Sequence, residues 1–325
     1  MTNRRVRIGS RGSELALWQA RWIQRALLEH HPGLEITIDI IKTKGDRILD
    51  SPLSRIGDKG LFTREIEQAL LRGMIDVAVH SLKDLPTELP QGLTIGAICE
   101  REDVRDVFVP HPSNPIRTLS DQPRGATIAT GSLRRKCQIL HLRPDVAIVD
   151  IRGNLNTRIK KLGESHWQGM LLAKAGVLRL GWMHVIGETV GAEMVLPAVG
   201  QGALGVEIRL GDGGTADLLA PLEHQPTRCA TTAERALLRT LEGGCQIPIG
   251  AYARIEDAGS ASTLVMDAMV GSLDGRTIVR DRATGAPADA EAVGVGLAGV
   301  LLRKGADRIL REIRDSETGA HESEG

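Results

Sequence analysis

Aromatic side chains are nearly missing from this 325-residue chain: four Trp, two Phe and one Tyr make up 2% of it. Without such platforms a surface for single-stranded nucleic acid has little on which to stack bases. Net charge is missing as well. Forty-one Lys and Arg balance 41 Asp and Glu, so no global field draws the chain to nucleic acid or to an anionic membrane. Any recognition of anions must come from local clustering. Cysteine is sparse: Cys99, Cys137, Cys229 and Cys245 lie far apart and form no Cys-x-x-Cys pair. That spacing argues against a zinc site, and no metal is expected. No apolar run reaches transmembrane length, because Gly, Arg or Asp interrupts the longest ones. Met1-Thr2-Asn3-Arg4-Arg5 leads straight into a strand pattern rather than a signal peptide. The expectation is a cytoplasmic protein whose thiols stay reduced.

What is present alternates. Val6 to Gly9 reads as a strand, and Ser13 caps a helix with Leu15, Trp18, Trp22 and Ala26 along one face. Leu34, Ile36, Ile38 and Ile40 alternate with polar residues, the mark of a half-buried strand. The polar stretch from Thr43 to Gly60 is too long for an ordinary connection and is a candidate lid. A helix at Phe62 to Leu70 and a strand at Ile75 to Val79 follow. After a proline-punctuated linker, Val109 to Arg124, the rhythm repeats: strand 126–129, helix 133–142, strand 146–151, helix 155–162 and strand 170–173. A strand at 201–208 is expected to return to the first unit. The pattern predicts two doubly wound α/β units with parallel sheets. A smaller α+β unit follows: a helix at 230–241, antiparallel strands at 249–255, 263–270 and 277–282, and a long helix from Ala288 to Ile313. The resulting division is 1–99 with 201–222, then 105–196, then 225–315, with 316–325 a disordered tail.

Open sheets of this kind bind ligands beyond the carboxyl ends of their strands. Ser10-Arg11-Gly12-Ser13, His80-Ser81-Leu82-Lys83-Asp84-Leu85-Pro86, Thr130-Gly131-Ser132-Leu133-Arg134-Arg135 and Arg152-Gly153-Asn154 all fall there, with Arg158 one helical turn further. Helix N-termini already favour anions, and each guanidinium can hold a carboxylate or phosphate bidentately. The motifs are neither a Walker loop nor a dinucleotide fingerprint. Asp84 is the odd charge among cations. It reads either as part of a surface Lys–Asp pair in a turn fixed by Pro86, or as a carboxylate that moves a proton or steadies a developing cation. In Glu242-Gly243-Gly244-Cys245-Gln246-Ile247-Pro248 the glycines stop a helix and leave the thiol without side-chain neighbours on its N-terminal side. An incidental cysteine and a chemically used one are both compatible with that pattern.

Taken in order, these motifs, with Asp58-Lys59-Gly60-Leu61-Phe62, Asn154-Leu155-Asn156-Thr157-Arg158 and Pro197-Ala198-Val199-Gly200-Gln201-Gly202-Ala203-Leu204, resemble the porphobilinogen deaminase (hydroxymethylbilane synthase) family over nearly the whole chain. The resemblance implies two domains like the halves of a periplasmic binding protein and a third domain carrying a dipyrromethane cofactor on Cys245 through a thioether. It implies a monomer that condenses four porphobilinogen molecules head to tail with loss of ammonia. Hydrolysis then releases hydroxymethylbilane, which passes to uroporphyrinogen-III synthase in heme and porphyrin biosynthesis. By the same resemblance Asp84 is catalytic, and Arg11, Ser13, Lys59, Lys83, Thr130, Ser132, Arg134, Arg135, Arg152, Arg158 and Arg179 bind cofactor and substrate. The rival is a non-enzymatic two-lobed anion-binding protein, which would use the arginines but neither Asp84 nor Cys245. A cysteine-nucleophile hydrolase lacks a histidine motif to activate Cys245.

Overall fold

The computed structural model describes residues 4–47, 60–241, 247–258 and 261–322. Strand β1 (Arg5–Ser10) leads into helix α1 (Glu14–His30), whose first turn is closed by the Ser13 hydroxyl accepting from Ala16 N–H. The stripe that α1 buries is Gln19, Ala20, Ile23 and Leu27, one position round from the expected face. Trp18 and Trp22 are half-buried. Strand β2 (Glu35–Ile40), the short helix α2 (Lys44–Arg47), helix α3 (Arg64–Leu71) and strands β3 (Val77–Ser81) and β4 (Leu93–Ile98) continue the first unit.

The second unit holds β5 (Asp106–Pro110), β6 (Thr127–Ala129), α4 (Leu133–Leu142), β7 (Ala147–Val149), α5 (Leu155–Gly163), β8 (Gly169–Ala173), α6 (Lys174–Arg179) and β9 (Glu188–Val190). Strand β10 (Leu204–Arg209) then returns to the first sheet, followed by helix α7 (Gly213–Leu219).

Both sheets have five strands in the same relative order, β2-β1-β3-β10-β4 and β7-β6-β8-β5-β9. Neither is purely parallel, which corrects the expected topology. β1 runs parallel to β2 and β3, and β6 to β7 and β8. β10 is inserted antiparallel between β3 and β4, and β5 antiparallel between β8 and β9. Each inserted strand follows a crossover from the other unit and enters its sheet against the local direction. Alternation along the strands then fills both faces of the second sheet. Phe108 and Leu171 face one core, while Val107, Val109, Met170 and Leu172 face the other.

The proline-rich linker is shorter than expected, because Val109 and Pro110 are buried within β5. The chain crosses instead at 99–105 and 191–203. Strands β4, β5 and β9 had no counterpart in the sequence reading.

Helix α8 (Gln225–Thr240) and the antiparallel strands β11 (Ile249–Ala258), β12 (Ala261–Gly271) and β13 (Ile278–Gly285) form the third unit. The expected single long helix is two, α9 (Ala290–Leu301) and α10 (Asp307–Glu322), because Gly305 takes φ 105° and breaks the ladder. Leu237, Leu241, Leu264, Met266, Leu297 and Leu301 meet in its core. Helix α10 carries the chain through Glu322, past the Ser316 where a disordered tail was expected to begin.

Candidate functional site

The ends of β1 and β3 converge. Beyond β1, Arg11 and Ser13 open α1; beyond β3, a single 3₁₀ turn, Leu82–Asp84, ends at Leu85, whose N–H donates to Leu82 O at 3.2 Å. Arg11, Ser13, Gln19, Phe62, Thr63, His80, Ser81 and Asp84 line one pocket. Asp84 is exposed there. The Arg11 guanidinium carbon lies 4.3 Å above the centre of the Phe62 ring, a cation–π contact. Gln19 Nε2 donates to Ser81 Oγ at 2.8 Å and fixes that side of the wall. His80 turns its Nε2 to Glu207, 3.2 Å away, and both are buried. Burial, with the Glu207 charge adding to it, raises the pKa of neighbouring Glu67.

The second unit offers its arginines from the opposite strand ends. Ser132 caps α4, its hydroxyl accepting from Arg135 N–H, and Thr130 Oγ1 accepts from Ser132 N–H at 3.3 Å. Arg134 and Arg135 are each only 5% exposed. Both are held by Asp106 at the start of β5, through Nη2 to Oδ2 at 2.8 Å and Nη2 to Oδ1 at 2.7 Å. Each also donates to a backbone carbonyl, Arg134 to Leu196 and Arg135 to Leu171. Much of their hydrogen-bonding capacity is therefore turned inward, and what they present to the cleft is chiefly charge. Gln201, from the second crossover, adds a third donor to Asp106 at 2.8 Å.

Arg152 Nε lies 3.5 Å from Asp150, and Arg158 Nε donates to Gly153 O at 2.8 Å. Burial lowers the Arg158 pKa to about 10, with Arg135 and Arg152 pushing the same way. Burial takes Lys83 down to about 8 against the pull of Asp84, and Arg135 and Arg134 lower it further. Lys83, Asp84, Arg134, Arg135, Arg152 and Arg158 thus share one electrostatic neighbourhood, with groups from both units in it.

Arg179 stands apart from that group. It donates to Gly202 O at 2.6 Å and lies 5.8 Å above the Trp18 ring, against the second crossover. Lys59, Cys245 and most of the candidate lid lie outside the described residues. Cys99 and Cys137 are buried core thiols whose pKa burial pushes up to about 12.

Sequence reading missed Asp106, Gln201, Phe62 as the partner of Arg11, and the buried pair of Arg101 with Glu234 at 2.6 Å. It also missed Arg235. The signal for Glu234 was legible, since it falls within the apolar stripe of α8 set by Ala230, Ala233 and Leu237.

Two family models match the chain: "Porphobilinogen deaminase, dipyromethane cofactor binding domain" over residues 6–217 and "Porphobilinogen deaminase, C-terminal domain" over residues 228–303. Curated relatives named porphobilinogen deaminase include one from Moorella thermoacetica, 52% identical over 95% of this chain and 96% of its own length. Another, from Chloroherpeton thalassium, is 53% identical over 94% of this chain and 97% of its own. Among solved structures, the unliganded open L-cystine solute receptor of Neisseria gonorrhoeae is similar at a TM-score of 0.39 and 13% identity, over 72% of this chain and 92% of that one.

Proposed function

The chain belongs to the porphobilinogen deaminase family, and from that we propose the following reaction and assignment of roles. The protein is a transferase that deaminates porphobilinogen and joins four such units head to tail, using a dipyrromethane cofactor. Cys245 is the attachment point, Asp84 the catalytic carboxylate, and Arg11, Ser13, Lys59, Lys83, Thr130, Ser132, Arg134, Arg135, Arg152, Arg158 and Arg179 the binding set. The division into 1–99 with 201–222, 105–196 and 225–315 is the domain organisation. The enzyme works as a cytoplasmic monomer and hands hydroxymethylbilane to uroporphyrinogen-III synthase.

The observation that carries the reading is an excess of desolvated cations gathered with two exposed carboxylates, Asp84 and Asp150. Among the described residues, Arg134, Arg135 and Arg152 each keep a buried Nε without a hydrogen-bond partner. Lys83 and Arg158 are depressed by burial and by neighbouring arginines. Such an array is unfavourable until anions enter it. Each pyrrole of the cofactor and of the product bears an acetate and a propionate, so the residues present fit the group. When bound, the dipyrromethane supplies the free pyrrole carbon from which the chain is extended.

The chain's own residues do the remainder. Lys83, Arg135, Arg152 and Arg158 neutralise substrate carboxylates. The Ser13 and Ser132 caps leave helix N-termini directed at the same region. Asp84 gives a proton to the departing amine, then opposes the positive charge left on the substrate's methylene carbon. Its test is ammonia release in a single turnover. Asp84→Asn keeps the shape and removes the charge, and should slow release by at least about a hundredfold while substrate still binds. Release at the wild-type rate would make Asp84 structural.

A further inference from the structure

We infer that Arg235 is a positioning residue for Asp84: from helix α8, in the third unit, it holds in place the turn that carries the carboxylate. The inference rests on the reading of Asp84 as catalytic. The Arg235 guanidinium donates to Leu85 O at 3.3 Å, to Pro86 O at 2.6 Å and to Thr87 O at 3.2 Å. These are the carbonyls of the residues that directly follow Asp84. Among the described residues none of them accepts a backbone N–H outside regular elements. Pro86 has no N–H with which the turn could close on itself. The path of the chain just beyond the carboxylate therefore depends on donors from elsewhere, and one guanidinium supplies them all.

Two further observations separate Arg235 from an ordinary surface arginine. It is 8% exposed, and among the described residues no carboxylate pairs with it. Burial lowers its pKa to about 10, which leaves it charged at neutral pH. A buried cation bonded only to carbonyls is unfavourable to place unless something is gained by the placement.

The residue before it points to what is gained. Glu234, 0% exposed, accepts from Arg101 Nη1 at 2.6 Å, Gly200 N–H at 2.7 Å and Ala253 N–H at 2.8 Å. Arg101 Nε in turn donates to Gln201 O at 2.7 Å. Consecutive residues of one helix thus grip both crossovers and the Asp84 turn. The third unit fixes where the carboxylate stands relative to the segments on which the two sheets are hung.

The test is a double-mutant cycle on enzyme carrying its cofactor, comparing wild type, Arg235→Gln, Asp84→Asn and the double variant, with Arg235→Lys alongside. Displacing a reacting group by about 1 Å costs about a hundredfold in rate, so kcat should fall by that order in Arg235→Gln. KM should barely move, since the binding arginines remain. Arg235→Lys keeps the charge but reaches fewer carbonyls, and should fall between Gln and wild type. In the Asp84→Asn background the Gln substitution should change kcat little, because no carboxylate remains to be positioned. Amide hydrogen exchange in Arg235→Gln should accelerate at 82–88 and stay unchanged in β11–β13.

Equal losses in both Asp84 backgrounds, an effect confined to KM, or unchanged exchange at 82–88 would overturn the positioning role alone. Wild-type turnover by Asp84→Asn would overturn the catalytic reading and this inference with it. If Arg235→Gln does not fold, the same cycle run with Arg235→Lys decides between these outcomes.

Discussion

Replacing Asp106 by Asn should destabilise the protein by about 3–5 kcal/mol at neutral pH, the usual cost of removing one partner of a buried ion pair. The magnitude follows from what the carboxylate holds. Asp106 is 0% exposed and takes Arg135 and Gln201 on Oδ1 and Arg134 on Oδ2, all within 2.7–2.8 Å. Asparagine would keep one acceptor and turn an N–H donor toward a guanidinium, leaving two buried cations without an anion. Burial by itself would raise the Asp106 pKa, but the Arg134 and Arg135 charges hold it well below the usual carboxylate range. A carboxylate with a lowered folded-state pKa contributes its stability above its unfolded value of about 3.9. That contribution is lost as pH falls through the folded value, so the deficit of Asp106→Asn should be full at pH 7 and shrink in acid below about pH 4.

The assay is urea unfolding followed by tryptophan fluorescence, since Trp167 and Trp182 pack against the core of the second sheet. The exposed pair of Arg308 with Glu312, 81% and 59% accessible, is the control. Glu312→Gln should cost less than about 0.5 kcal/mol. A loss at Asp106→Asn no larger than at that control would refute the account of Asp106 as the counter-ion of the cleft.

Lys83 gives a pH test. Its folded value of about 8 lies below that of a free lysine, so its charge opposes folding below about pH 8, and stability should rise from there toward about pH 10.4. A pyrrole dicarboxylate lacking the aminomethyl group should draw a proton onto Lys83 near pH 8. That uptake is measurable by titration calorimetry in two buffers of different ionisation enthalpy, and persistence of the full uptake in Lys83→Met would assign it elsewhere. Gly202, at φ 91°, would place a Cβ 2.4 Å from Glu102 O, whereas Gly211, at φ 84°, has nothing within 4 Å. Gly202→Ala should therefore lower thermal stability more than Gly211→Ala, by about 1–3 kcal/mol. Equal melting shifts for the two would mean the crossover is not tightly packed.

The alternation of elements was legible because period-2 and period-3.6 patterns survive in short segments such as Leu133–Leu142, which matched residue for residue. Strand direction is not written in such patterns. Leu204–Arg209 reads as a strand in either orientation, so the parallel expectation failed where it returns to the first sheet, and Asp106–Pro110, the antiparallel strand after the other crossover, was not read as a strand at all. Leu93–Ile98 escaped notice because Gly96 interrupts it, and the gap beside that glycine is filled from afar by Ile208 and Leu219. In the site, the cations at the strand ends were legible as a cluster. Their counter-ion was not, because Asp106 sits in a hydrophobic run and meets Arg134 only through the fold. Arg235 was hidden for the same reason, lying about 150 residues from the carbonyls it serves.

The central claim is that Cys245 holds a pyrrole cofactor onto which porphobilinogen is condensed. Its most direct test is the intact mass of the purified protein before and after a limiting dose of porphobilinogen, with the attachment site mapped by peptide fragmentation. The account predicts a mass above the bare chain by two linked pyrrole units, located on Cys245, then further increments of one unit with ammonia released for each. Cys245→Ser should show the bare chain mass and no increments. A wild-type protein at bare chain mass that still consumed porphobilinogen, or the added mass on Cys99, Cys137 or Cys229, would contradict it.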